Sequence, residues 1–139
     1  MKNRSIIIAV IVIAIAAAAV LYIASSTPAS YKDGSYSGEA VGGAFGDTKV
    51  TVTISGGKII ACRMENVDKL GNPKDENYGR GGTDADYQLA QYALQGMAKY
   101  PQMLIETQNV DKMDAVSGAT VTFREFQAAV HQALAEASK

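Results

Sequence analysis

Lys49-Val50-Thr51-Val52-Thr53-Ile54-Ser55-Gly56-Gly57-Lys58 stands in the middle of a chain of 139 residues. Val50, Val52 and Ile54 alternate with Lys49, Thr51 and Thr53, the period of a strand with one face buried and the other wet. Gly56-Gly57 then fits a two-residue hairpin turn, whose central positions need positive φ. The return strand runs from Lys58 to about Val67, with Ile60, Cys62 and Met64 on one face and Ile59, Ala61, Arg63 and Glu65 on the other. Upstream, Tyr36 to Val41 reads as a first strand, loosened by Gly38 and followed by Gly42-Gly43. The expected fold class is α+β: a small antiparallel sheet built on this hairpin, with helices packed over one face.

Downstream, Asp68 to Gly82 reads as a loop, broken by Gly71, Asn72-Pro73, Gly79 and Gly81-Gly82. Thr83-Asp84-Ala85-Asp86 opens a helix with two acids in its first turn, and Ala90, Ala93, Leu94 and Met97 form its apolar stripe. Tyr87 and Tyr92 read as packing residues of that helix. A second helix covers about Gln102 to Thr107, with Pro101 in its first turn. Asn109 to Met113 is expected as an edge strand. The last helix runs from about Phe123 to Ala137, with Phe123, Phe126, Val130, Leu134 and Ala137 along one stripe and His131 at its border.

Between them lies Asp114-Ala115-Val116-Ser117-Gly118-Ala119-Thr120. Thr122 and Glu125 have the spacing of a capping box, so Ser117 to Thr120 would form a small-residue turn feeding a helix N-terminus. Free amides and the helix dipole make such a turn suited to anions, and Gly118 permits close backbone approach. The same residues also read as ordinary capping chemistry.

The formal charge of −1 gives no argument for a nucleic-acid partner. One cysteine, Cys62, permits no intramolecular disulfide or cysteine-clustered metal site, and its position reads as small core. With one histidine besides, no transition-metal site is expected. No Walker-type phosphate loop or GxGxxG fingerprint is present, nor a GxSxG elbow that would make Ser117 a hydrolase nucleophile. At the start, Lys2 and Arg4 precede an apolar run from Ile6 to Ala24, which as a helix spans about 28 Å, close to a bilayer core of about 30 Å. The expectation is an N-terminal transmembrane helix over 1–24, a linker over 25–30 and one domain over 31–139. The charge bias places that domain on the extracytoplasmic side of the cell membrane. A cleaved signal peptide, giving a secreted domain, is the alternative.

Asp114 and the Ser117-Gly118-Ala119-Thr120 run resemble the flavinylation motif of the FMN-binding domain family. Lys32-Asp33-Gly34-Ser35-Tyr36 and Gly56-Gly57-Lys58-Ile59 resemble further family features, in the family's order, over about residues 31 to 138. Where many relatives carry an Asn-Glu-Thr-like signature, this chain has Glu65-Asn66-Val67-Asp68. The resemblance implies FMN as cofactor, carried on Thr120 by a phosphoester bond and attached by a flavin transferase using FAD. On that reading the Ser117 and Gly118 amides would hold the phosphate beside Ala119; Asp114 would orient the motif, assist during transfer or serve as an ordinary turn cap; and Tyr78, the only aromatic residue of the long loop, is either a ring-stacking residue or an exposed loop tyrosine with no ligand. A threonine hydroxyl is a weak nucleophile, so this chain reads as the substrate of that transferase, with no catalytic residue of its own. The implied function is an electron carrier serving a membrane redox complex. The alternatives are a compact flavin subunit of an ion-pumping electron-transport complex and a module that holds FMN non-covalently.

Overall fold

The computed structural model describes residues 31–139, so the expected membrane helix and linker at 1–30 lie outside the described residues. Three strands, β1 (Gly34–Gly43), β2 (Gly46–Ser55) and β3 (Lys58–Val67), form an antiparallel sheet in the order β1-β2-β3. Helices α1 (Asp84–Met97), α2 (Tyr100–Thr107) and α3 (Thr120–Ala137) follow, with a 3-10 turn at Val110–Lys112 before α3. This is the expected α+β class. Among the described residues no helix is long and apolar enough to cross a membrane.

The alternation in β2 places Thr48, Val50, Val52 and Ile54 inward, all at most 2% exposed. The opposite face is wet, and its hydroxyls pair across β1 and β2: Ser35 Oγ lies 3.0 Å from Thr53 Oγ1, and Ser37 Oγ lies 2.9 Å from Thr51 Oγ1. Gly56 and Gly57 have φ of 58° and 71°, the mirror-image turn that a tight hairpin requires. α3 lies across β1 and β2 and α2 lies against β3. Phe123, Phe126, Val130, Leu134 and Ala137 are buried as their spacing predicts, together with Ala129 and Ala133. At the border of that stripe, exposed His131 Nε2 sits 2.9 Å from Asp111 Oδ1 of the 3-10 turn.

Three expectations are corrected. The faces of β3 do not follow strict alternation: Thr53 pairs with Ala61 but Ile54 pairs with Ile59, so Ile60 is the extra residue of a bulge. Ile59 therefore turns inward, toward the side of half-buried Cys62 and Met64, while Ile60 is 56% exposed. Burial pushes the Cys62 thiol up to about 12, so it stays protonated as a packing residue. The segment Asn109 to Met113 is no edge strand, because the Asn109 side chain accepts from the Asp111 amide at 2.9 Å and winds it into the 3-10 turn. The capping box at Thr122 does not form. α3 starts at Thr120, with Ala119 as its cap residue and no side-chain cap. Thr122 falls in phase with the buried stripe at 5% exposure, and the Glu125 carboxylate instead accepts from the Thr48 hydroxyl at 3.0 Å. A true capping box occurs at α1, where Thr83 and Asp86 bond reciprocally.

Candidate functional site

The motif turn is fixed from below by a phenol. Tyr100, fully buried and packed on the Phe123 and Phe126 rings at 5.1 and 5.5 Å between centroids, brings its hydroxyl under the turn. Tyr100 Oη accepts from the Val116 amide at 3.0 Å and donates to the Ala119 carbonyl at 3.0 Å. These bonds bracket Ser117 and Gly118. α1 supports the turn from the side: a Cβ on Gly96 would lie 3.0 Å from the Ala119 Cβ and 3.3 Å from the Ser117 carbonyl, so a larger residue there would press on the turn. Gly118 has φ +83°, and a Cβ there would meet the Tyr92 ring at 2.5 Å. Both observations select glycine at 118.

The first intrahelical bond of α3 runs from the Phe123 amide to the Ala119 carbonyl at 2.9 Å. The Thr120, Val121 and Thr122 amides precede it and have no partner among the described residues. They stand at the wall of a cavity of about 550 Å³, lined by Gly118, Ala119, Thr120, Val121 and Thr122 at that end. Leu89, Ala93 and Met97 of α1 form an apolar side, and Phe45 of the β1–β2 turn and Tyr78 and Lys74 of the long loop complete it. Phe45, Leu89 and Val121 are 53%, 65% and 42% exposed, so large apolar surface faces the opening rather than the core.

The long loop is built rather than slack. The Asp68 carboxylate accepts from the Asn72 amide at 2.9 Å, the Asn72 side chain at 3.2 Å and the Leu70 amide at 2.8 Å, which hold it below the ordinary carboxylate range. The Lys74 amide donates to the Asn66 carbonyl at 3.0 Å, beside a bridge between Val67 and Pro73. From α1, Gln91 Nε2 donates to the Tyr78 carbonyl at 3.0 Å and Tyr87 Oη donates to the Glu76 carbonyl at 2.8 Å. Tyr78 is thereby held half-buried at the cavity, its phenol raised by burial first and then by the Asp68 and Glu125 carboxylates.

Of the residues singled out in the sequence, Thr120, Ala119, Gly118 and Tyr78 meet at this cavity. Ser117 shapes the turn without lining the cavity, and Asp114 is exposed with no hydrogen bond among the described residues. Phe45, Lys74, Leu89 and Met97 were not foreseen there, nor was Tyr100 as the clamp. They come from separate elements, and only the apolar stripe of α1 pointed to any of them. Among the described residues no group of three His, Cys, Asp or Glu side chains could hold a metal ion.

Residues 43–135 match the FMN-binding domain family. The chain belongs to that family. No curated protein matches. A crystal structure of the CPE2226 protein from Clostridium perfringens shares the fold, with a TM-score of 0.58 at 23% identity over 77% of this chain and 88% of that one. A solution NMR structure of a Clostridium thermocellum protein gives a TM-score of 0.44 at 27% identity, over 78% of this chain and 93% of that one. Family membership makes FMN the cofactor, and the cavity suits it. A flat ring system needs apolar walls, which Leu89, Ala93 and Met97 provide, and its phosphate needs donors, which the unpartnered amides at the start of α3 provide. Bound there, FMN would supply redox chemistry, while the chain would supply binding, orientation and electrostatics.

Proposed function

We propose that this member of the family carries its FMN covalently, as a phosphoester on Thr120, and works as an electron carrier outside the cell membrane. The observation that carries the reading is the placement of Thr120. It is the first residue of α3, exposed, next to the left-handed Gly118 and the unpartnered amides, at the cavity wall. Thr122, two residues on, is buried. A transferase must reach the hydroxyl it modifies, and only the first of the two is open to solvent.

In the proposed transfer, Thr120 Oγ1 attacks the FMN-side phosphorus of FAD. The new bond is Oγ1–P, the bond broken is the phosphoanhydride, AMP leaves, and the hydroxyl proton passes to solvent or a transferase base. Among the described residues no side chain is hydrogen-bonded to the Thr120 hydroxyl to activate it, which supports the reading of this chain as the transferase's substrate. The apolar run Ile6 to Ala24 would tether the domain, keeping the flavin beside a membrane redox complex that exchanges electrons with it. The test is co-expression of the full chain with an FAD-dependent flavin transferase, followed by a denaturing gel. Flavin fluorescence at the chain's own mass is expected. Fluorescence in the native protein that disappears on denaturation would instead establish non-covalent binding.

A further inference from the structure

Among the described residues Lys74 is the single cation lining the cavity, and the one carboxylate lining it, Asp86, is engaged by the Thr83 amide and hydroxyl. The Lys74 side chain is half-buried, with Nζ 5.5 Å from the centroid of the Tyr78 ring. Its backbone is tied to β3 through the Asn66 carbonyl and the adjoining Val67–Pro73 bridge. No carboxylate pairs with it among the described residues. The carboxylates around it are Glu125, Asp68 and Asp47, and their attraction does not offset burial, which holds the ammonium below its ordinary range. Asp68 is engaged with Asn72 and Leu70, Asp47 accepts from the Gly42 amide and Glu125 accepts from Thr48. A long lysine ordinarily keeps its head in water. A partly desolvated cation without a carboxylate pair, at the wall of a largely apolar cavity, points to a ligand that brings negative charge.

Resting on the reading that FMN occupies this cavity, we infer that Lys74 is the cation that balances the charge the flavin ring gains on reduction, and so sets the midpoint potential. Two electrons and one proton taken up from the electron donor leave one negative charge on the ring. An ammonium at the cavity wall stabilises that charge and raises the potential. The FMN phosphate is the other anion the cation could serve, and the two roles give different results.

The experiment is a spectroelectrochemical titration of the flavin-loaded full chain, with dithionite as reductant and redox mediators present. Wild type is compared with Lys74→Met, Lys74→Gln, Lys74→Arg and, as a control at the hairpin far from the cavity, Lys58→Met. Intact mass gives the flavin content of each and circular dichroism its fold. Both neutral variants should disfavour reduction by at least about tenfold, a fall of about 30 mV for a two-electron couple. Lys74→Arg and Lys58→Met should stay near wild type. Flavin-loaded Lys74→Met and Lys74→Gln at the wild-type potential would overturn the inference. So would folded neutral variants that lose flavin while wild type holds it, because the cation would then serve the phosphate. A wild-type chain that takes up no flavin would overturn the FMN reading together with this one.

Discussion

Tyr100 Oη makes two hydrogen bonds to the motif turn, one to each side of Ser117-Gly118. Burial raises the phenol, so it stays protonated and able to donate at neutral pH. Tyr100→Phe keeps the ring packing but leaves the Val116 amide without a partner, while the Ala119 carbonyl keeps only the Phe123 amide, which should cost about 1–3 kcal/mol in chemical denaturation. The same variant should take up flavin more slowly under conditions where it is fully folded; an unchanged stability would show that the clamp carries no strain of its own. Asp86 permits a pH prediction. The Thr83 hydroxyl and amide donate to its carboxylate and hold it below the ordinary value of 3.8. A group depressed in the folded state lends stability above its unfolded value, and that stability fades as pH falls through the folded one. Denaturation should therefore separate wild type from Asp86→Ala clearly at neutral pH, and the gap should close as the solution is taken well below pH 3.8. At this scale the sequence was legible where chemistry is local: Gly118 was read as a position that needs glycine, and its φ of +83° and the Tyr92 ring against it both require one. It was not legible at Thr122, because the spacing of a capping box and the phase of a buried stripe are both satisfied by the same threonine, and packing decided between them.

The hairpin was readable because alternation and a Gly-Gly turn are both local signals, and β3 has the bounds expected of it. The bulge was not, since Ile59 and Ile60 are chemically identical and only the pairing partner tells which one faces inward. The pairing partner is Ile54 of β2, and on its other side Ile59 is held by a separate element. Gln108 ends α2 in the left-handed region, φ 59°, and turns its side chain onto β3. Its Oε1 accepts from the Ile59 amide at 2.9 Å and its Nε2 donates to the Ile59 carbonyl at 2.8 Å, so the glutamine acts as a substitute for one residue of a neighbouring strand. Gln108→Ala should lose both of these bonds and the one from Nε2 to the Ile105 carbonyl, a destabilisation of about 1–3 kcal/mol by denaturant titration. Gln108→Gly removes the same bonds but relieves the positive φ, so it should be the less damaged of the two. If the alanine variant matched wild type, the clamp would be incidental to the bulge. Residues 109–113 were misread for a related reason: Val110 suits a strand, but the Asn109 cap and the short span between α2 and the motif turn leave room only for a 3-10 turn.

Across the whole molecule, the sheet, the three helices and the motif turn were legible, because each rests on periodicity or on residues adjacent in sequence. The cavity was only half legible. Thr120, Ala119 and Gly118 were joined to Tyr78 by resemblance, whereas Phe45, Lys74 and Leu89 reach the same space through the β1–β2 turn, the folded loop and α1, which no local pattern reports. The proposed topology has its own test. In a Cys62→Ala background, Ser138→Cys should react with an impermeant maleimide on intact cells without an outer-membrane barrier; labelling only after lysis would put the domain inside. The central proposal is that the cavity's cofactor hangs from the first hydroxyl of α3, and the most direct measurement is the intact mass of the denatured chain after co-expression with a flavin transferase. Wild type and Thr122→Val should each gain one FMN minus one water, and Thr120→Ala should gain nothing. A gain that survives Thr120→Ala, or one that disappears in a folded Thr122→Val chain while Thr120 remains, would contradict the assignment.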